Sequence, residues 1–166
     1  MASPSTVHSK AHAFATSYAA AMALSQDPST SSPLSVATAL AAHYSPNHTT
    51  FSLGSVNQMG SDPTPIVTGY LNMLTACGLG YNIHVTNTRV EVISDAAAAV
   101  WMTFRIEPAE GAGVEGWEWT NVYGFRDGGR QNGLDVEGKW EYAISDQEIE
   151  GVLKRRPDFL RGFGAA

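Results

Sequence analysis

The stretch GLGYNIHVTNTRVEVIS, residues 78–94, is where the pattern of the chain changes. Upstream of it, apolar residues recur every three to four positions, the spacing of one helix face. From Tyr81 onward they alternate, and β-branched residues dominate, as half-buried strands require. Gly78 and Gly80 close the preceding helix, since glycine tolerates the left-handed backbone that ends helices. The upstream half therefore reads as helical and the downstream half as sheet.

Working upstream, Phe14, Tyr18 and Met22 share one face of a helix predicted over 9–26. QDPSTSSP, residues 26–33, is a loop of helix breakers and of residues that bond their own backbone. Pro33 suits the start of a second helix over 34–43. A short strand is predicted over 49–53 and a third helix over 65–76. Working downstream, strands are predicted over 82–94, 97–107, 116–126 and 139–144. SDAA turns tightly between the first two, and the glycine-rich PAEGAGVEG and DGGRQNGLDVEG connect the others. SDQEIEGVLKRRPDFL, residues 145–160, opens a short terminal helix. Ser145 or Asp146 is placed to cap it, with Glu148 in its first turn. One domain over 9–163 is expected, with residues 1–8 as a flexible N-terminus.

Composition narrows the function classes. The 166 residues make about one domain, and 43 % hydrophobic with 16 % charged residues is the balance of a globular chain. A net charge of -6 with three lysines argues against binding a phosphate backbone, so no nucleic-acid partner is expected. Lys154, Arg155 and Arg156 read as a helix C-terminus complementing the macrodipole. No segment reaches membrane-spanning length. The single Cys77 is read as a buried structural thiol and suggests a reducing compartment, so a cytoplasmic location is expected. His8 with His12, and His43 with His48, lack carboxylates at ligand spacing, and no metal or other cofactor is expected. CGLGYN lacks the lysine of a phosphate loop, and no serine stands in a nucleophile elbow.

Two strands carry the candidate chemistry. In GWEWTNVYGFRDG, residues 116–128, alternation puts Trp117, Trp119, Asn121, Tyr123 and Phe125 on one face. Such a face is either core or the wall of an apolar pocket in which Asn121 and the Tyr123 hydroxyl orient a carbonyl. In GKWEYAISDQE, residues 138–148, Glu141 sits between Trp140 and Tyr142. On a solvated face it has no special role. In an apolar pocket its pKa would rise towards neutrality, and it would serve as an acid or base. Alternation does not choose between these faces, nor does it decide whether Glu118 or Glu141 is the inward carboxylate. His48, in the loop beside Tyr44, is a second candidate acid or base. Arg105 is expected to pair with Glu118 across strands.

Three helices followed by antiparallel strands form an α+β layout. The order resembles the nuclear-transport-factor-2-like superfamily, which holds scytalone dehydratase, ketosteroid isomerase and the SnoaL-like cyclases. The resemblance spans residues 12–159 and is carried by HYSPNHTTF, TNVYGFRDG and GKWEYAISDQE. It implies a cone-shaped α+β barrel, with a curved, mainly antiparallel sheet around the helices. The Trp140-Glu141 pair stands where SnoaL-like cyclases carry a tryptophan followed by a catalytic aspartate, with glutamate a departure by one methylene. The resemblance thus implies a cofactor-independent isomerase, cyclase or dehydratase of secondary metabolism, acting on a bulky apolar metabolite. Glu141, Tyr123 and His48 would be catalytic, and Asn121, Trp119 and Tyr44 would bind substrate. A homodimer through the sheet face is expected. The other reading is a non-catalytic ligand- or protein-binding domain of the same fold.

Overall fold

The computed structural model describes residues 6–160 apart from 77 and 133, so the expectation for Cys77 lies outside the described residues. The chain opens with α1 (Thr6–Ala23), a 3₁₀ turn (Leu24–Gln26) and α2 (Pro33–Ala41). Next come β1 (Tyr44–Ser52), β2 (Ser55–Gln58) and α3 (Thr64–Ala76). The rest is β3 (Asn82–Ser94), β4 (Ala97–Glu107), β5 (Trp117–Arg126), the short pair β6 (Arg130–Gln131) and β7 (Leu134–Asp135), β8 (Lys139–Ile144) and α4 (Asp146–Arg155).

Helix α1 begins earlier than predicted. Val7 is 2 % exposed and continues the buried stripe of Ala11, Phe14, Tyr18 and Met22, so residues 6–8 belong to the domain and not to a flexible tail. Ser32 caps α2 by accepting the Ser35 amide at 3.1 Å, with Pro33 in the first turn. The chain turns from β1 to β2 through Leu53 and Gly54, both at positive φ, an addition to the single strand predicted there.

Six strands form one sheet in the order β2-β1-β8-β5-β4-β3. All neighbours are antiparallel except β1 and β8, so the sheet is mixed. It is an open sheet, with β2 and β3 at its edges, and not a closed barrel. The helices pack on its inner face around an aromatic column. Phe14 of α1 meets Trp140 of β8 at 4.7 Å, and Tyr123 of β5 stacks on Trp140 at 5.1 Å. Lys10 pairs with Asp127 at 2.7 Å and ties α1 to the end of β5.

A bulge in β8 decides which side chains face the helices. Tyr123 pairs with Ala143 and Gly124 with Tyr142, but Phe125 pairs with Trp140, leaving Glu141 as the extra residue. Trp140 and Ala143 therefore both point inward, while Tyr142 and Ile144 take the outer face. Tyr142 lies across Gly124, where any side chain would run into its ring. Arg105 stands opposite Glu118 as expected, but its short ion pair is made to Glu107 on its own strand, at 2.5 Å.

Candidate active site

The inner faces of β1, β5 and β8, with α3 and α4, enclose an open cavity of about 350 Å³. Its walls are mainly apolar, from Met59, Ile66, Met73, Ala143, Ile149 and Phe159. Polar groups converge along one side of it. Alternation on β5 brings Asn121 and Tyr123 inward, as the sequence predicts, and β1 contributes Tyr44 and His48.

Glu141 is not among them. Next to the inward Trp140 it lies away from the cavity, with its side chain 44 % exposed and paired to Arg126 at 3.1 Å. Glu118 is also exposed, on the outer face of β5. The carboxylate in the cavity is Glu148, from the first turn of α4. A helix start normally turns such a residue towards its own amides. Here Ser145 occupies the N-cap position without making a side-chain cap bond, and Asp146 turns away to accept the Leu53 amide at 2.5 Å. Gln147 accepts the Thr120 amide at 2.9 Å, which fixes α4 against β5. Glu148 is thereby held inward, four residues before the buried Val152 on the same helical stripe.

Asn121, 4 % exposed, donates through Nδ2 to Glu148 Oε2 at 2.6 Å and lies 3.3 Å from the Tyr123 hydroxyl. Burial pushes the Glu148 carboxyl up to about 7, and the Asn121 amide only partly offsets this. Glu148 is half-buried as a residue, its accessible part belonging to the cavity wall, while the carboxyl itself is strongly desolvated.

Three tyrosines meet beside it. The Tyr70 hydroxyl of α3 lies 2.6 Å from that of Tyr18 and 2.7 Å from that of Tyr44. Burial raises the pKa of Tyr18, Tyr44, Tyr70 and Tyr123, so all four stay protonated and act as neutral hydrogen-bonding groups. His48, expected in a loop, is in β1 and 2 % exposed. Burial lowers its pKa, and Nδ1 lies 3.1 Å from the Ser45 carbonyl. A neutral ring that donates from Nδ1 keeps Nε2 as an acceptor. Trp119 stacks on Phe104 at 5.7 Å and lines a second, smaller chamber behind Glu148.

Among the described residues, no three His, Cys, Asp or Glu side chains gather as metal ligands would, and no helix is long and apolar enough to cross a membrane. Sequence reasoning missed Glu148, Tyr70 and Tyr18 as site residues. The available signal for Glu148 was its place on the stripe with Val152.

No family model matches this sequence, and no curated protein matches it. Solved structures do. An NTF-2-like protein of unknown function from Shewanella oneidensis MR-1 superposes with a TM-score of 0.55 at 13 % identity, over 82 % of this chain and 95 % of the other. A ketosteroid isomerase-like protein from Erwinia carotovora atroseptica SCRI1043 gives 0.56 at 13 % identity, over 84 % and 94 %. The chain has the nuclear-transport-factor-2-like fold. A candidate polyketide cyclase from Xanthomonas campestris pv. campestris shares it, at TM-score 0.51 and 9 % identity, over 89 % of this chain and 98 % of that one. At these identities the likeness concerns the nuclear-transport-factor-2-like backbone, and the chemistry has to be argued from the side chains.

Proposed function

We propose that this protein is a cofactor-independent acid/base enzyme of the isomerase or cyclase kind, acting on an uncharged, mainly apolar carbonyl compound. The observation that carries the reading is Glu148, an isolated carboxyl in an apolar cavity with a pKa pushed up to about 7. A group with that pKa exchanges its proton readily near neutrality, which suits both removing and returning a proton. Isomerase-like and cyclase-like neighbours of the same fold agree with it.

In this mechanism the Glu148 carboxylate takes a proton from carbon next to a substrate carbonyl. The negative charge that builds on oxygen is met by neutral donors. Tyr123, whose hydroxyl accepts from the Asn121 amide and keeps its own O–H to donate, stands closest to Glu148, and Tyr44 and Tyr70 line the same wall. The Tyr18, Tyr70 and Tyr44 hydroxyls are joined in a hydrogen-bonded chain, and such a chain strengthens the donor at its end and fixes its position. Protonated Glu148 then returns its proton at another carbon, giving isomerisation. The same enolate would serve carbon–carbon bond formation in a cyclisation. His48, neutral and with Nε2 as acceptor, is the second base available in the cavity. The reading also places a second copy of the chain against the outer sheet face.

The test is proton exchange on a simple enolisable ketone. With 2-tetralone in D₂O, loss of the α-proton signal is followed by NMR. The protein is expected to accelerate exchange, and Glu148→Gln to slow it by about 100-fold or more, the usual worth of a positioned acid or base. Glu141→Gln, which alters only an exposed ion pair, leaves the rate unchanged. Exchange at the wild-type rate in Glu148→Gln would refute the reading.

A further inference from the structure

Behind Glu148 lies the second chamber, of about 50 Å³ against about 350 Å³ for the cavity. Three elements run past both spaces. On α4, Ile149 lines the cavity, Val152 the chamber and Glu148 both. On α3, Ile66 lines the cavity, Leu74 the chamber, and Tyr70 and Met73 both. On β5, Asn121 and Tyr123 line the cavity and Trp119 the chamber. The two spaces therefore lie end to end, and Glu148 stands at their junction. Met73, in the shared wall, is unbranched with three rotatable bonds, a side chain that adapts to what packs against it.

The chamber presents carbon. Leu40, Leu79, Ile106 and Val152 give it aliphatic walls. The indole nitrogens of Trp117 and Trp119 each have less than 1 Å² of accessible surface, so those rings offer only carbon to the space they line. The Tyr70 hydroxyl is engaged by those of Tyr18 and Tyr44. A water needs two to four polar partners, and an apolar space without them stays dry. Hydrocarbon is the occupant that such walls favour, because it buries apolar surface and displaces no bound water. Volume then sets the size. An apolar cavity of about 150 Å³ holds benzene, so about a third of that space takes about two or three carbons and not a ring.

We infer that the inner chamber is a specificity subsite for a short alkyl branch of the substrate, carried on the carbon from which Glu148 takes the proton. A carbonyl held at Tyr123 leaves the body of the molecule in the larger cavity, the only one of the two spaces wide enough for a ring. Glu148 at the junction then meets the carbon next to that carbonyl, and a branch on this carbon runs past the carboxyl into the chamber. The substrate class is an uncharged ketone branched beside its carbonyl. Leu74 and Val152, which line the chamber and not the cavity, limit the length of the branch. The point of attachment rests on the acid/base reading of Glu148, while the choice of a short alkyl group rests on the chamber's walls and volume.

The probes are 1-ethyl-2-tetralone and 6-ethyl-2-tetralone, isomers of equal hydrocarbon content. The first carries its ethyl group on the acidic carbon beside the carbonyl, the second at the far end of the ring. A buried methylene is worth about fourfold in affinity, so calorimetry on the full chain is expected to show the 1-ethyl isomer binding about tenfold more tightly. In Leu74→Phe, which fills the chamber from α3, that preference falls to about one. A measurement on the unaltered protein guards against misfolding of the variant. Met22 lines the chamber and not the cavity, and Met59 the cavity and not the chamber. Nuclear Overhauser contacts from the ethyl group of the 1-ethyl isomer are expected at the Met22 methyl, and from its ring protons at the Met59 methyl. Equal affinities of the two isomers, ethyl contacts at Met59 in place of Met22, or no binding of either ketone would overturn the subsite. Equal affinities with Glu148-dependent exchange would leave the acid/base reading intact. A preference for the 1-ethyl isomer with contacts at Met22, but no Glu148-dependent exchange, would support the subsite and overturn that reading instead.

Discussion

The amide of Asn121 donates to the carboxylate of Glu148 at 2.6 Å across the junction of β5 and α4. This bond binds the one carboxylate among the described cavity residues to the strand whose alternation builds the cavity wall. It also sets a balance, because burial favours the neutral acid and the amide donor favours the charged form. Burial prevails, and the carboxyl titrates at about 7.

Removing the amide donor therefore moves the titration further up. In Asn121→Leu, the inflection of the exchange rate with pH is expected about one to two pH units above that of the wild type, since a hydrogen bond to a charged group is worth about 1.5–3 kcal/mol. The rate of 2-tetralone exchange, measured from pH 5 to 10, gives the inflection directly. A downward shift would mean that the amide does not stabilise the carboxylate.

The same pKa makes a prediction about stability. The ordinary glutamate value is 4.5 and the folded value about 7, so between them the native state holds a proton that the unfolded chain has released. Stability contributed by the protonated form is present below pH 4.5 and is lost as pH rises through about 7. The gap corresponds to roughly 3 kcal/mol. Around Glu148, burial keeps Tyr44, Tyr70 and Tyr123 neutral in this range, while His48, lowered by burial, gives a slope of the opposite sign. Comparing wild type with Glu148→Gln cancels those shared terms. The variant should gain little at pH 4.5 and up to about 3 kcal/mol relative to wild type at pH 8, by urea unfolding. An equal difference at both pH values would rule out a raised native pKa.

Tyr70 is the central hydroxyl of its cluster, within 2.7 Å of both neighbours, whereas Tyr18 and Tyr44 lie 3.5 Å from each other. Tyr70→Phe therefore leaves two buried hydroxyls poorly paired. A loss of about 1–3 kcal/mol of stability is expected by thermal or urea unfolding. Exchange should slow as well, because the chain of donors behind the carbonyl oxygen is broken. Tyr81→Phe, on a half-buried residue outside both chambers, provides the control.

The alternation on β5 made the inward set of Trp119, Asn121 and Tyr123 legible from sequence, because regular strands have a fixed period of two. The fold followed from the switch of period at Tyr81, and the long strands β3 and β4 match the ranges predicted for them. Glu141 was placed inward by the resemblance and not by alternation, and next to the inward Trp140 it lies on the outer side. The bulge at Glu141 reverses the faces of residues 142–144, which brings Ala143 inward, and no residue in KWEYAI announces it. Glu148 was passed over for a different reason. An acidic residue in the first helical turn has an ordinary use at the helix dipole, and only the tertiary bonds of Asp146 and Gln147 turn this one into the cavity. Tyr18 was read as part of a helix face, and Tyr70 drew no reading within the helix predicted over 65–76, because the hydroxyls that pair with them come from distant segments.

The outer face of the sheet carries the last prediction. Trp101 of β4, Val122 of β5 and Ile144 of β8 stand side by side in register, each half-buried, with Tyr142 beside them. Arg89 covers part of Trp101 at 4.1 Å, and Thr103 and Thr120 bond across the strands at 2.9 Å, so the polar groups here are already paired. An apolar strip of this kind on a sheet face favours a second copy of itself, since a two-fold interface needs only one self-complementary patch. Sedimentation equilibrium is expected to give a dimer for the wild type and a monomer for Val122→Lys, which sets two charges at the centre of the strip. The site lies on the opposite face, so the monomer should retain Glu148-dependent exchange. A wild-type protein that sediments as a monomer at micromolar concentration would exclude the interface.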